Sequence, residues 1–220
     1  MPERGPFISI EGIEGVGKST HSRLLARAIE ARGRTVVLTR EPGGGDRVGE
    51  ILRDLLKDPA VWRGLDLAEI YLYAAARAHH IEKLILPALE RGHVVVCDRF
   101  LDSTRAYQGY GRGRPLELIE KVHALAPLTL RPDRTILLDA PVEVALGRTR
   151  DRAESARPGY DDEDVAFFGR VRDGFLRIAA QEPGRVRIVR EHGDVATVHG
   201  SVVAAIADLF PGIVPASPAP

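Results

Sequence analysis

The sequence has little of three things: net charge, cysteine and long apolar runs. Its 31 basic and 31 acidic side chains cancel to a formal net charge of zero, so no global positive field attracts nucleic acid or anionic lipid. The single cysteine, Cys97, excludes an internal disulfide. No apolar run approaches the roughly 20 residues that span a bilayer, and the first residues lack a signal-peptide pattern. We expect a cytoplasmic protein that binds neither nucleic acid nor a membrane.

Short runs of β-branched residues alternate with segments of helical periodicity. Strands are predicted from Phe7 to Glu11, Thr35 to Arg40, His93 to Asp98, Thr135 to Asp139 and Arg185 to Val189. A long helix is predicted from about Leu65 to Glu90, with a kink at Pro87, and further helices start near Pro115, Pro141, Asp162 and Val195. This alternation is typical of an α/β fold with a doubly wound, five-stranded parallel sheet flanked by helices.

The length of 220 residues suits one domain, which we place at residues 1–210. Two segments, 99–114 and about 150–162, escape the periodic pattern and are predicted to be loops beside a site. The second of them is predicted to be a mobile lid. Residues 211–220 include four prolines and are predicted to form a disordered tail.

The strongest motif follows the first predicted strand. Residues 12–19 read Gly-Ile-Glu-Gly-Val-Gly-Lys-Ser, which is the spacing of a phosphate-binding loop (P-loop), and an amphipathic helix comes directly after them. Glycines let backbone N–H groups turn toward phosphates, and the helix N-terminus adds a favourable dipole. Lys18 can reach the β and γ oxygens, and Ser19 can bind Mg²⁺. Only four of the 31 basic residues are lysines, and this one stands where a compact ammonium fits better than a guanidinium.

This loop and the residues next to it are predicted to bind ATP. They are Gly12, Ile13, Glu14, Gly15, Val16, Gly17, Lys18, Ser19 and Thr20. An ordinary glycine turn is the alternative, and the flanking strand and helix argue against it. A P-loop alone indicates only a bound nucleoside triphosphate, because kinases, GTPases and motor ATPases share it.

Three further clusters are expected at the ligand crevice of such a sheet. Residues 40–44, Arg-Glu-Pro-Gly-Gly, end the second strand, where a glycine turn with a solvated charge pair is the alternative. Asp98 and Arg99 end the third strand. The arginine can hold a phosphate while the acid orients Mg²⁺, and a structural ion pair is the alternative. Tyr73 and Arg77 lie one helical turn apart and can contact a base, although an aromatic at this spacing is more often in the core.

Together these segments resemble the thymidylate kinase family of P-loop nucleoside monophosphate kinases. The resemblance runs from about Phe7 to about Phe175 and is carried by FISIEGIEGVGKST, TREPGG, GEILR, LYAAAR and DRFLDSTRAYQGYGRG. The last segment is the most specific, because its pattern is not a general P-loop feature. The resemblance implies transfer of the ATP γ-phosphoryl group to dTMP, with Mg²⁺ as cofactor, in dTTP synthesis. It also implies a homodimer, for which the helix around Ala74 to Leu89 offers a surface.

The same resemblance implies a role for each acceptor residue. Glu14 would contact the deoxyribose 3′-hydroxyl, Tyr73 would stack on thymine, and Tyr107 would crowd the sugar C2′ so that a ribonucleotide fits poorly. The dTMP phosphate would be held by Arg40, Arg53 and Arg99. The residues implied to hydrogen-bond around the base are Arg77, Thr104 and Gln108. The implied metal site consists of Ser19 and Asp98.

Phosphoryl transfer also needs cations that neutralise the transferring group. Some family members carry an arginine inside the P-loop, and here Gly15 occupies that position. The resemblance therefore implies that arginines of the lid supply the charge. Arg150 and Arg152 are the predicted catalytic arginines, beside Lys18 and Arg99. A solvated surface loop is the alternative, because the lid departs from the expected pattern of an Asp-Arg pair followed by a hydrophobic residue and Glu.

Two other functions stay open from the residues alone. The acceptor can be another nucleotide or a nucleoside, because P-loop kinases share the phosphate loop and differ in the acceptor pocket. The chain can also be a P-loop switch or ATPase that couples its nucleotide state to a partner. The second reading predicts phosphate release without an acceptor and leaves the second arginine cluster unexplained.

Overall fold

A computed structural model describes residues 4–58, 66–151, 162–190 and 193–214 of the chain. Five parallel strands form one sheet in the order β2-β3-β1-β4-β5. The strands are β1 Phe7–Glu11, β2 Val36–Arg40, β3 Val94–Asp98, β4 Arg134–Asp139 and β5 Val186–Arg190. All five predicted strands are confirmed to within one residue at each end, because buried parallel strands carry their signal in local runs of apolar residues.

Helices cover both faces of the sheet. They are α1 Lys18–Glu30, α2 Arg47–Lys57, α3 Asp66–His80, α4 Leu86–Glu90, α5 Leu101–Thr104, α6 Leu116–His123, α7 Val142–Asp151, α8 Asp162–Gln181 and α9 Val195–Ala204. A π-helical turn, Ile81–Ile85, joins α3 to α4 just before Pro87, whose ring cannot sit against the preceding turn of an α-helix. No helix in these described ranges is long and apolar enough to cross a membrane.

Two apolar clusters fill the two sides of the sheet. Ile8 and Ile10 of β1 point into the cluster beneath α1, α8 and α9, while Phe7 points into the cluster beneath α3, α4 and α6. Val95 and Cys97 of β3 join Phe7 on that second side. The alternation follows from the two-residue period of a strand. It buries every residue of β1, including the polar Ser9 and Glu11, and every residue of β3 up to Cys97, so both strands lie inside the sheet.

The prediction of a loop over residues 99–114 was wrong. Helix α5 continues there as a π-helix over Arg105–Gly111. Its glycines serve close packing: a Cβ on Gly111 would lie 2.6 Å from the Val171 side chain, and one on Gly109 would lie 2.4 Å from that of Leu116. Glycine is common in turns and also where two helices approach closely. The glycines of this segment were interpreted as a loop signal, whereas they allow close helix packing.

The helical segment around Ala74 to Leu89, predicted to offer a dimer surface, contributes to the core. Its large apolar side chains Ile81, Ile85 and Leu89 are fully buried in the second cluster. These three side chains are therefore not available to a second copy, and a dimer surface on the rest of this segment stays a prediction.

Candidate active site

The sheet order creates a crevice where the P-loop lies. From β1 the chain crosses to β2 and β3 on one side and then returns past β1 to β4 on the other. Ligands of open α/β sheets bind outside the carboxyl ends of strands at such a switch point. The P-loop follows β1 there, and Asp98 and Arg99 follow the neighbouring strand β3.

The P-loop glycines adopt backbone angles that other residues rarely take, with φ of 137° at Gly12, 81° at Gly15 and 85° at Gly17. Lys18, the first residue of α1, is buried, and its Nζ donates to the Ile13 carbonyl at 2.7 Å. Burial, together with the nearby Arg99, lowers the pKa of Lys18 to about 7. A bound polyphosphate would favour the charged form again, because opposite charges stabilise it.

Gly15 has no room for a side chain. A Cβ there would lie 1.8 Å from the carbonyl oxygen of Ala145 in α7, which is far inside van der Waals contact. The P-loop is therefore wedged against α7, and an arginine cannot be placed at this position without moving one of them. In this structure position 15 therefore has no room for an arginine.

Ser19 and Asp98 meet at the edge of the P-loop. The Ser19 hydroxyl donates to Asp98 Oδ2 at 2.5 Å, while Oδ1 is buried and has no hydrogen-bond partner among the described residues. An orphaned carboxylate oxygen beside a hydroxyl suits a hard cation. No group of three or more His, Cys, Asp or Glu side chains in the described ranges could hold a metal ion, so a cation here would need phosphate oxygens as further ligands.

A cleft of about 670 Å³ opens beside the P-loop and gathers eight of the nine predicted acceptor residues. They are Glu14, Arg53, Tyr73, Arg77, Arg99, Thr104, Tyr107 and Gln108. The ninth, Arg40, faces a neighbouring depression together with Ser19 and Asp98, and pairs with Glu50 at 3.1 Å. The side chain of Arg150 and all of Arg152 lie outside the described residues.

Arg99 is aimed into this cleft by a turn with φ of 70°, which non-glycine residues rarely adopt. The next N–H, that of Phe100, donates to Glu11 Oε1 at 2.7 Å, and the Ser103 hydroxyl donates to Glu11 Oε2 at 2.6 Å. Glu11 is completely buried, and burial raises its pKa to about 7. The turn that orients Arg99 is thus held by a carboxylate from the end of β1.

The Arg99 guanidinium lies against Tyr107. Its Nη2 donates to the Tyr107 hydroxyl at 3.0 Å, and the guanidinium carbon lies 4.8 Å from the ring centre. Phe167, Phe168 and Phe175 surround the tyrosine ring edge to face at 6.1 to 6.4 Å. Burial raises the pKa of Tyr107 to about 12. Tyr107 is therefore a neutral, firmly packed wall of the cleft.

Arg77 forms the floor of the cleft and is only 2% exposed. It donates to Glu41 Oε2 at 2.8 Å and to the Thr104 hydroxyl at 2.9 Å. Thr104 therefore accepts from Arg77 and keeps its own hydrogen for another partner. Glu41 is held from its other side by His80 Nδ1 at 3.2 Å.

Sequence reasoning missed Glu69, a buried acid that lines the cleft. Gln108 Nε2 donates to Glu69 Oε1 at 3.2 Å, and Arg112 pairs with the same oxygen at 3.4 Å. A carboxylate only accepts, so this contact fixes which end of the Gln108 amide faces it. A signal was present: Glu69 stands four and eight residues before Tyr73 and Arg77, on the same helical face. Phe167 and Phe168 carried no such signal, because they reach the cleft from α8.

The fold and the site together define a P-loop nucleoside monophosphate kinase, with a phosphate loop and a base-sized acceptor cleft side by side. A family model described as Thymidylate kinase matches residues 10–202. The chain belongs to the thymidylate kinase family.

Individual relatives agree with this assignment. The chain is 46% identical to a thymidylate kinase of Trichlorobacter lovleyi, with 92% of this chain and 95% of the relative covered. It is 48% identical to one of Rhizorhabdus wittichii, with 94% and 99% covered. The crystal structure of thymidylate kinase from Ehrlichia chaffeensis matches with a TM-score of 0.72 and 36% identity, over 92% of this chain and 99% of that one.

Proposed function

We propose that the enzyme transfers the γ-phosphoryl group of ATP to dTMP, forming dTDP and ADP for dTTP synthesis. The observation that carries the proposal is the joining of the P-loop to a cleft that holds Arg99, Tyr73 and Arg77. In this proposal Arg99 is the phosphate-binding cation between an ATP site at the P-loop and a base site in the cleft. Little covalent chemistry is needed from the protein, because positioning and charge neutralisation dominate phosphoryl transfer.

The donor side is assigned to the P-loop and Lys18, which cradle the ATP phosphates. Ser19 and Asp98 would hold Mg²⁺ with phosphate oxygens, and the orphaned Asp98 oxygen supports this assignment. Bound Mg²⁺ would neutralise charge on the phosphates. Lys18 remains inside the loop, where a cation within reach of the γ-phosphate lowers the cost of charge that develops there.

The acceptor side is assigned to the residues that line the cleft. Arg99 and Arg53 would bind the dTMP phosphate, with Arg40 at the entrance beside the metal pair. Tyr73 would stack on thymine. Arg77 supplies only donors, so it suits a carbonyl oxygen of the base. The packed Tyr107 wall would disfavour a 2′-hydroxyl, and Glu14 would contact the 3′-hydroxyl.

The remaining catalytic charge is assigned to Arg150 and Arg152 of the predicted lid. Support comes from Gly15, because contact with α7 leaves no space for an arginine inside the P-loop. The transferring phosphoryl group then needs cations from another segment; Arg150 is in the last turn of α7, and Arg152 directly follows that helix in the sequence. We retain residues 1–210 as one kinase domain and the cytoplasm, where ATP and dTMP are available, as its location.

A homodimer is proposed through a face built by α2 and α3. Val48, Ile51 and Leu55 of α2 are 49%, 55% and 37% exposed, and Leu67 and Tyr71 of α3 are both 53% exposed. The two helices pack against each other, and Val48, Ile51 and Leu55, spaced three and four residues apart, share one side of α2. A cluster of exposed apolar side chains of this kind is typical of a protein interface.

The first test is ADP formation with Mg²⁺ and each of dTMP, dUMP, UMP, CMP, GMP and AMP, beside a reaction without acceptor. We expect turnover that depends on dTMP. Strong turnover with another monophosphate would reassign the base site. Turnover without any acceptor would favour an ATPase or a switch and would remove the acceptor roles.

A further inference from the structure

The guanidinium of Arg77 is held on nearly every side. Nε donates to Glu41 at 2.8 Å, Nη2 donates to Thr104 at 2.9 Å and to the Phe100 carbonyl at 3.3 Å, and Nη1 contacts His123 Nε2 at 3.1 Å. An arginine has five N–H groups. Among the described residues these contacts use four of them, and the one that is left is on Nη1, the nitrogen that touches His123.

The contact with His123 defines the state of that imidazole. Arg77 can only donate, so His123 Nε2 must carry the lone pair and the proton must be on Nδ1. Nδ1 is buried and has no hydrogen-bond partner in the described ranges. Burial, and then the charge of Arg77, lowers the pKa of His123 to about 2. The ring is therefore a neutral acceptor at every pH at which the protein is expected to work.

His123 stands behind Arg77 and outside the cleft. It is 1% exposed at the end of α6, while Arg77, Glu41 and Thr104 all line the cleft. The three acceptors other than His123 hold Nε and Nη2. His123 alone, among the described contacts, holds Nη1. Its hydrogen bond occupies one of the two Nη1 hydrogens and anchors that side of the planar guanidinium, which helps to fix the direction of the remaining N–H.

We propose that His123 is a positioning residue that orients the free N–H of Arg77 toward a carbonyl oxygen on the acceptor base. This inference rests on the proposed function, because it takes Arg77 as a reader of the base edge. A guanidinium donates to a carbonyl and repels an amino group, so its orientation separates thymine from cytosine at that edge. His123 would thus set specificity without touching the substrate.

Two variants separate the hydrogen bond from mere packing. In His123→Gln the amide oxygen can reach the place of Nε2 and accept from Arg77. In His123→Met the volume is kept and the acceptor is lost. We expect His123→Met to raise the KM for dTMP about tenfold, the loss that one hydrogen bond to a charged group produces. The KM for ATP should stay within about twofold of the parent value, because ATP does not contact that N–H, and the inhibition constant of dCMP should not rise, because the cytosine amino group gains nothing from that N–H.

His123→Gln should restore most of the preference for dTMP over dCMP. An unchanged preference in a folded His123→Met protein would overturn the inference, and so would equal losses for dTMP and ATP. If the unaltered enzyme does not use dTMP, the proposed function itself is wrong, and this result is visible without the variants.

The imidazole state gives a readout that does not depend on activity. Nitrogen-15 shifts of the labelled full-length enzyme should show His123 neutral, with its proton on Nδ1, on both sides of neutral pH. A charged ring, or a proton on Nε2, would contradict the hydrogen bond from Arg77 even if dTMP turnover is strong. His123→Met identifies the signal by its loss.

Discussion

The candidate site contains buried cationic side chains that differ in how well they are paired. Lys18 and Arg77 are 8% and 2% exposed, and Arg99 lies under the ring of Tyr107. A buried charge is costly unless it is paired. Arg77 meets this cost with protein acceptors, whereas Lys18 has a single carbonyl at 2.7 Å and a lowered pKa. The free enzyme therefore holds a cation whose natural partner is a phosphate.

Thr104 offers the most direct test of the base site. Replacing it with valine keeps the shape but removes the hydroxyl that accepts from Arg77 Nη2. We expect the KM for dTMP to rise about tenfold, because a buried N–H of the charged Arg77 loses its acceptor and the base loses the hydroxyl donor of Thr104, while the KM for ATP stays unchanged. Steady-state kinetics with each substrate varied in turn would show this. Thr104→Ser is the control, and equal losses for both substrates would count against the base site.

At the scale of elements, glycines decide how closely helices approach the site. Gly15 lets the P-loop touch the backbone of α7, and Gly111 lets the π-helix after α5 lie on α8. The second contact brings Phe167 and Phe168 to the cleft, where they surround Tyr107. The same helix α5 carries Thr104. Close packing at these two glycines therefore positions both the P-loop and the Tyr107 side of the cleft.

Gly15→Arg tests this packing. The side chain cannot fit, since its Cβ alone would meet the Ala145 carbonyl at 1.8 Å, and the φ of 81° adds strain. We expect a loss of stability of about 3 kcal/mol or more, typical of overpacking combined with backbone strain, and loss of activity. Thermal unfolding and ATP binding would measure both. Normal stability and ATP affinity would show that α7 can move away, and the steric argument would be wrong.

The predicted lid can be tested at the same scale. Alanine at both Arg150 and Arg152 removes two cations assigned to the transferring phosphoryl group. We expect kcat to fall about 100-fold or more, since one such arginine is worth about 10³-fold in related phosphoryl transfers, with a smaller change in the KM for dTMP. Lysine at both positions should recover part of the rate. An unchanged kcat would contradict the assignment.

At the scale of the whole molecule, the parallel sheet collects residues from distant parts of the chain. β3 lies between β2 and β1, so the carboxyl ends of these strands place Arg40, Asp98 and the P-loop next to one another. The stability of the fold depends on the helices that pack on this sheet. Helices α1 and α9 pack together through His21 and His199, whose rings lie 6.3 Å apart and are both buried.

This histidine pair predicts that stability falls in acid. Burial, and then His199, lowers the pKa of His21 to about 4 in the folded chain, whereas the unfolded value is near 6.5. The unfolded state therefore binds the proton first, and stability is complete above about pH 6.5 and declines toward about pH 4. The loss from His21 alone is at most about 3 kcal/mol. Urea unfolding over this pH range should show that the free energy of unfolding declines less with falling pH in His21→Phe than in the parent chain. Equal declines in the two proteins would show that His21 is not the cause.

The proposed dimer is also a property of the whole molecule. Ile51, 55% exposed, lies with Val48 and Leu55 on one exposed side of α2, which is part of the proposed dimer face. Ile51→Glu places a charge there, which costs association far more than folding because the side chain is open to water in the monomer. Sedimentation equilibrium should show a dimer for the parent chain and a monomer for the variant. A parent monomer at micromolar concentration would refute the dimer; Arg91→Glu, on an exposed surface elsewhere, serves as the control.

Local patterns in the sequence predicted what depends on neighbours along the chain. The five strands, the P-loop and the Tyr73–Arg77 face each carry their signal within a few residues, because strand and helix periodicities are local. The helix over 101–111 was missed for the opposite reason. Its glycines fit against Val171 and Leu116, and those contacts are invisible in composition.

Local sequence patterns predicted the class of chemistry, since a P-loop after a buried strand indicates a nucleoside triphosphate site and the Asp98-Arg99 pair suits a phosphate and a metal. The support of that site follows from tertiary contacts. The tertiary structure placed Glu69 on Gln108, Glu11 beneath the turn of Arg99, and His123 behind Arg77. These partners lie 39 to 89 residues apart along the chain. Hydrogen bonds over such separations follow from the order of strands and helices, which no local pattern encodes.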